Sequence, residues 1–266
     1  MSSIDEKRVY DARAGKTEAF VAAEMGVAAV EIAGDRVGRF RLARRCRARD
    51  VAASAGRLLV ATDEDVLVGT GDGFETASFG PAVAVGVGYD GGLLAARPDG
   101  EVARRDGGGW EPLGNAGAVR AVGGDLVATA GGVCRIVDGG LAPAGLSDVR
   151  DVSATGVPLA ATASGLYWLG NGWMDAHDGA FRIVAADGGG RAHAATADAL
   201  YAGGGSPDDW EPRELPTDDP VAGVAYGEGV VAVMETGTVL VDAGDGWRSR
   251  SIGLDEVAGV AVPGEP

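Results

Sequence analysis

Four arginines, Arg49, Arg120, Arg150 and Arg182, occupy the same place in four copies of a repeated segment, the second residue of its opening strand. Guanidinium groups gathered at one spot can hold a carboxylate or phosphate through paired N–H donors. The remaining copies carry Val85, Ala222 and Ala258 there. Asp50, Asp148 and Asp151 lie beside the arginines, so local ion pairing is the competing reading. A second basic cluster is the run RVGRFRLARRCRAR (36–49). Arg39 and Arg41 alternate there with Phe40 and Leu42, which puts the arginines on the exposed face of an outer strand. Such a strand can dock an acidic partner or an RNA backbone. It can equally serve to discourage edge-to-edge pairing.

Other reactive residue types form no site of comparable regularity. His193 falls in a column that six other copies fill with Leu, Val or Phe, which places it inside, hydrogen-bonded to backbone. His177 sits beside Asp178 at a predicted turn and is expected to be exposed. No third His or Cys stands at metal-ligand spacing to either, so no metal site is expected. Carboxylates abound, as in Asp63-Glu64-Asp65, Asp208-Asp209 and Asp218-Asp219, but the sequence singles out no acid–base pair of the kind glycoside hydrolysis needs. The glycine clusters spell no phosphate loop, and GTGDGF (69–74) lacks the third glycine of a dinucleotide fingerprint. No cofactor is expected.

What must position the arginines is the repeat itself. Val149 to Ala180 reads as four short extended pieces, VRDVSA, PLAATA, LYWLG and WMDAH, with turns at Gly156, Ser164-Gly165 and Asn171-Gly172. The second piece recurs as Leu59-Ala61-Thr62, Leu94-Ala96, Leu126-Ala128-Thr129, Leu159-Ala161-Thr162, His193-Ala195-Thr196, Val231-Val233 and Phe20-Ala22. The fourth opens on Phe74, Trp110, Trp173, Trp210 and Trp247, with Leu141 and Val37 in the same column. First pieces begin near Ala48, Ala84, Val119, Val149, Phe181 and Val221. An orphan first piece, VAGVAV (257–262), has nothing after it, while the N-terminal copy lacks one. These complementary defects predict a closed ring in which the C-terminal strand completes the first sheet. The fold class is therefore all-β, a seven-bladed β-propeller of four-stranded blades. One domain is expected over residues 1–266, with an N-terminal segment at 1–16, partly extended, and blades over 17–262. Units of roughly 30–40 residues, against ~40–50 in common propeller repeats, leave no room for a lid.

Composition bounds the function. The chain carries 39 acidic against 23 basic residues, a net charge of −16, and its only lysines are Lys7 and Lys16. A carboxylate-rich surface of this kind suits a salt-rich cytoplasm, where ions screen its self-repulsion, and it disfavours non-specific nucleic-acid binding. Cys46 and Cys134 lie in different units and indicate no disulfide framework. The opening MSSIDEKRVYDARAGK has no apolar core of a signal peptide, and no run approaches the ~20 apolar residues of a membrane helix. A cytoplasmic, monomeric protein is expected.

The unit resembles generic β-propeller repeats, including those of WD-repeat and sensor propellers, although the WD dipeptide is missing. GSPDDW (205–210), GDGW (244–247), GNGW (170–173) and GGGW (107–110) are similar to decayed Asp-boxes of sialidase-like propellers. Over its whole length, with the opening DEKRVYDARAGKTEAFVAAEMGVAAVEIAGDRVGRF, the chain resembles a haloarchaeal β-propeller family with no assigned activity. That resemblance implies fold and habitat only, since propellers host unrelated functions.

Beside a small-molecule sensor domain without chemistry, two function classes follow. One is a non-enzymatic binding or scaffolding module, its protein or anionic partner held at Arg49, Arg120, Arg150 and Arg182 or on the outer strand with Arg39 and Arg41. The other is a hydrolase or lyase acting on a sugar or anionic small molecule, which would need a carboxylate or Tyr near the arginine cluster.

Overall fold

The computed structural model describes residues 16–264 except 55 and 205, and the expectation for 1–15 lies outside the described residues. Among the described residues, twenty-eight strands form seven four-stranded antiparallel sheets. The innermost strands, in blade order from 2 to 7, are Ala48–Ser54, Ala84–Val87, Val119–Gly123, Val149–Ser153, Ile183–Ala186 and Val221–Tyr226. The innermost strand of blade 1 is Val257–Ala261, from the far end of the chain. It pairs antiparallel with Lys16–Ala23, with Val21 opposite Val260 and Ala22 opposite Gly259. The ring is thus closed by strand pairing between the two ends of the described chain, as the complementary defects predict. Among the described residues no helix is long and apolar enough to cross a membrane.

The core lies between blades. Leu59, Ala61 and Val66 of blade 2 pack on Val85, Leu93 and Ala95 of blade 3, and Leu126 and Ala128 of blade 4 pack on Val149, Val152 and Ala160 of blade 5. Small side chains suit this geometry, because each sheet must approach the next closely along its inner half. The aromatic column adds a directional tie. Trp110 Nε1 donates to the Ala77 carbonyl at 2.9 Å, and Trp173 Nε1 donates to that of Ala144 at 2.6 Å, each reaching the preceding blade. Phe74 meets Phe20 of blade 1 edge-on instead. The wide ring covers apolar area while its N–H finds a partner, which explains why Trp recurs at this position.

Where blade 7 meets the closing strand the inner strands sit close. A β-carbon on Gly223 would sit 3.0 Å from the Val260 nitrogen and 3.1 Å from Gly259 Cα. Glycine lets these two inner strands come together there. One boundary differs from expectation: the innermost strand of blade 6 begins at Ile183, and Phe181 is wholly buried just before it.

Candidate functional site

Three of the four arginines owe their placement to β-bulges. In blade 2, Ala48 faces Thr62 and Asp50 faces Ala61, which leaves Arg49 unpaired between them. Arg120 is skipped in the same way between Val119 and Ala121, and Arg150 between Val149 and Asp151. A bulge turns the extra side chain away from the regular alternation of the strand. In blade 6, Arg182 precedes the strand and donates its backbone N–H to Ala195, the residue that Ile183 faces. In blade 3 the matching residue is Val83, whose N–H donates to Ala96 opposite Ala84, and not Val85 as the sequence suggests. Ala222 and Ala258 hold the position in blades 7 and 1.

All four arginines line one cavity of about 240 Å³ at the central channel. Three are held by carboxylates: Arg49 by Asp63, Arg120 by Asp148, and Arg182 by Glu235, each at 2.5 Å. Arg150 has no carboxylate partner among the described residues; its guanidinium lies 3.5 Å from the Phe181 carbonyl. On blades 7 and 1 the lining is small and apolar, made by Ala222-Gly223-Val224 and Ala258-Gly259-Val260.

Asp50 and Asp151 do not pair with the arginines, contrary to the local-pairing reading, which holds only for Asp148. Asp50 accepts the N–H of Val51 at 2.8 Å and that of Val85, in the next blade, at 2.9 Å. Asp151 does the same for Val152 and for Val184 of the next blade, both at 2.8 Å. These four valines belong to a column found in every blade: Val51, Val85, Val122, Val152, Val184, Val224 and Val260, all buried. Each aspartate clasps two inner strands through their edge N–H groups. Burial in the middle of the ring pushes Asp50 up to about 6 and Asp151 to about 7, outweighing the N–H donors that favour the charge; the Asp50 charge raises Asp151 further. These two acids are what residue reasoning missed. Their signal was the repeated Arg-Asp-Val at 49–51 and 150–152.

Arg39 and Arg41 lie elsewhere, on Arg36–Arg44, the outermost strand of blade 1. Arg41 pairs with Glu18 at 2.9 Å, and Arg39 stands 3.9 Å from Glu31. The expected alternation fails, since Phe40 and Leu42 are also exposed, at 41% and 40%. The strand is at the rim and little packs on either side of it. Arg250 of blade 7 partly covers it, its guanidinium 5.3 Å from the Phe40 ring and donating to the Gly38 carbonyl.

His193 is buried as expected, but its partner is the Tyr226 hydroxyl at 2.9 Å rather than backbone. His177 is in a strand, not a turn, and packs between Phe181 and Tyr201. Cys46 and Cys134 are free thiols, both pushed up by burial. No group of three or more His, Cys, Asp or Glu among the described residues is arranged to hold a metal ion.

Solved structures share the architecture at low identity. The WD40 β-propeller domain of Doa1 matches with a TM-score of 0.62 at 15% identity, over 80% of this chain and 85% of that one. The computationally designed Ika8 protein matches with 0.62 at 14%, over 92% and 87%. The WD40 repeats of RRP9 match with 0.60 at 10%, over 91% and 88%. At such identities the likeness concerns the fold alone. No curated protein matches the chain. Residues 3–263 match the HVO_0234-like beta-propeller family, and the chain belongs to that family.

Proposed function

We propose that this propeller is a non-enzymatic binding module that grips an anionic group of a partner, a carboxylate above all, at the mouth of its channel. The observation that carries the reading is Arg150. It lines the shared cavity, flanked by arginines of the two neighbouring blades that already have carboxylates, and has none itself among the described residues. An incoming carboxylate would supply the counter-charge, with the small apolar lining of blades 7 and 1 leaving room for the rest of the partner. Capture from a native lysate in molar salt tests this, with wild type compared against a folded variant carrying Arg49→Ala, Arg120→Ala, Arg150→Ala and Arg182→Ala. A partner lost in the variant supports the reading; a partner held equally by both overturns it.

A hydrolase or lyase is the second reading, favoured by the raised pKa of Asp50 and Asp151 in the same cavity. Both oxygens of each carboxylate already accept backbone N–H groups, which suits a clasp better than a proton shuttle. Turnover of an anionic ester or sugar acid by wild type, abolished in Asp151→Asn, would establish catalysis.

The acidic composition supports operation in a salt-adapted cytoplasm. A melting temperature unchanged between molar salt and ~0.1 M salt, where screening is weaker, would contradict that.

A further inference from the structure

A second polar site lies away from the channel, between blades 6 and 7. Ala185, His193, Ala202 and Glu211 face one another across successive strands of blade 6, and Tyr226, Val230 and Asp242 do so in blade 7. Matching positions to His193 hold Leu59, Leu94, Leu126 and Leu159, so an imidazole here departs from the core pattern. Matching positions to Ala202 in blades 2 to 5 hold Val68, Arg104, Arg135 and Trp168, all larger, and blade 1 holds Ala29 beside the larger Phe20. The small alanine opens a cleft of about 450 Å³ lined by His193, Arg191, Asp209, Glu211, Arg213 and Asp242.

The hydrogen bonds fix the tautomer of the imidazole. The Tyr226 hydroxyl donates to the Ala185 carbonyl at 3.0 Å, so its proton is used. The contact of 2.9 Å between His193 Nδ1 and Tyr226 Oη is then an N–H donating to the phenol oxygen. Nε2 carries the lone pair. It has no hydrogen-bond partner among the described residues, and His193, 7% exposed, lines the cleft. Burial and the charges of Arg213 and Arg191 push the imidazole down to about 4, which keeps this lone pair free at neutral pH.

From the cleft's inventory we infer that it binds a neutral polyhydroxylated small molecule, a sugar or sugar-like polyol, with a hydroxyl donating to His193 Nε2. Acceptors dominate: the imidazole plus three carboxylates, of which Asp242 holds the Gly244 N–H at 2.7 Å through one oxygen. Arg213, 3.6 Å from Glu211, supplies donors at the rim, while the Arg191 Nε is committed to Asp187. A cationic ligand would meet two guanidinium groups beside the imidazole, and an anion would meet three carboxylates. A hydroxylated neutral molecule satisfies both sets, and the volume is in the range of small-molecule sites.

With only two histidines in the chain, ¹⁵N-histidine labelling isolates the site. Titration with myo-inositol and with glucose is expected to give a saturable shift of the His193 Nε2 resonance, with His177 unmoved. Citrate and putrescine are expected to leave it in place. Ala202→Leu, which fills the cleft with a side chain of the size other blades carry and leaves the His–Tyr pair intact, is expected to abolish the shift. No shift with either polyol overturns the assignment, as does a response to the charged probes alone, or a polyol shift that survives Ala202→Leu.

Discussion

The arginines at the channel and those on the outer strand of blade 1 are the same residue in opposite circumstances. Arg49, Arg120 and Arg150 project from bulges in innermost strands, where the ring points them into one cavity. Arg39 and Arg41 project from a rim strand that is itself bulged at Gly38-Arg39, each next to a different carboxylate and open to solvent. Seven-fold closure turns a recurring sequence position into a shared site when it falls on an inner strand. On an outer strand the same recurrence would be scattered around the circumference. Arginine count says little here; radial position decides what the charge can do.

Breaking the inner ring should therefore cost far more than altering the rim. The largest effect is expected from deleting residues 257–266, which removes the closing strand and leaves the inner edge of Lys16–Ala23 unpaired. Cooperative thermal unfolding should be lost by circular dichroism, and a truncation as stable as the full chain would refute closure as the source of stability.

Next in size are the clasps. Asp50→Ala or Asp151→Ala strips the acceptor from two N–H groups, each worth about 1–3 kcal/mol when left without a partner, so denaturant unfolding should show a loss of a few kcal/mol. Their pH dependence has a defined sign. Both acids are raised in the folded chain, so their contribution is full below the ordinary carboxylate range and is lost as pH rises through about 6 for Asp50 and about 7 for Asp151. His193, lowered to about 4, works the other way, its contribution being present above the ordinary histidine range and lost as pH falls toward 4. Above about pH 6.5 the unfolded histidine is losing its remaining charge, its opposing slope fades by about pH 7.5, and the slope belongs mainly to Asp151. The unfolding midpoint should fall between pH 6.5 and about pH 8, and Asp151→Asn should flatten that fall; a midpoint that rises over this window contradicts the assignment.

The smallest effect is expected at the rim. Arg39→Ser with Arg41→Ser removes exposed pairs, and stability should change by less than about 1 kcal/mol in the same denaturant assay. A loss matching that of the aspartate variants would remove the distinction between ring and rim.

The architecture was legible because its signals are local and repeated. Alternation, glycine turns and the tryptophan column each lie within one unit, and the orphan VAGVAV needed only a matching gap at the other end. The site was legible to the extent that it is periodic, which is why the four arginines stood out. Offsets of one or two residues were not. The inner strand of blade 3 begins at Ala84 and carries no bulge, so its second residue is Val85 while the matching position is Val83. The clasps were hidden because each carboxylate reaches the next blade, and Val85 is 35 residues from Asp50 in sequence. The exposure of Phe40 and Leu42 could not be read from alternation, which presumes a covered face that the rim does not provide.

The most direct test of the channel as an anion site is a ¹H–¹⁵N titration of the arginine Nε–Hε resonances with citrate. Arg150, the member of the ring without a carboxylate among the described residues, should shift saturably, while Arg39 and Arg41 stay in place. Uniform drift of all arginines, or a response confined to the outer strand, would contradict the account.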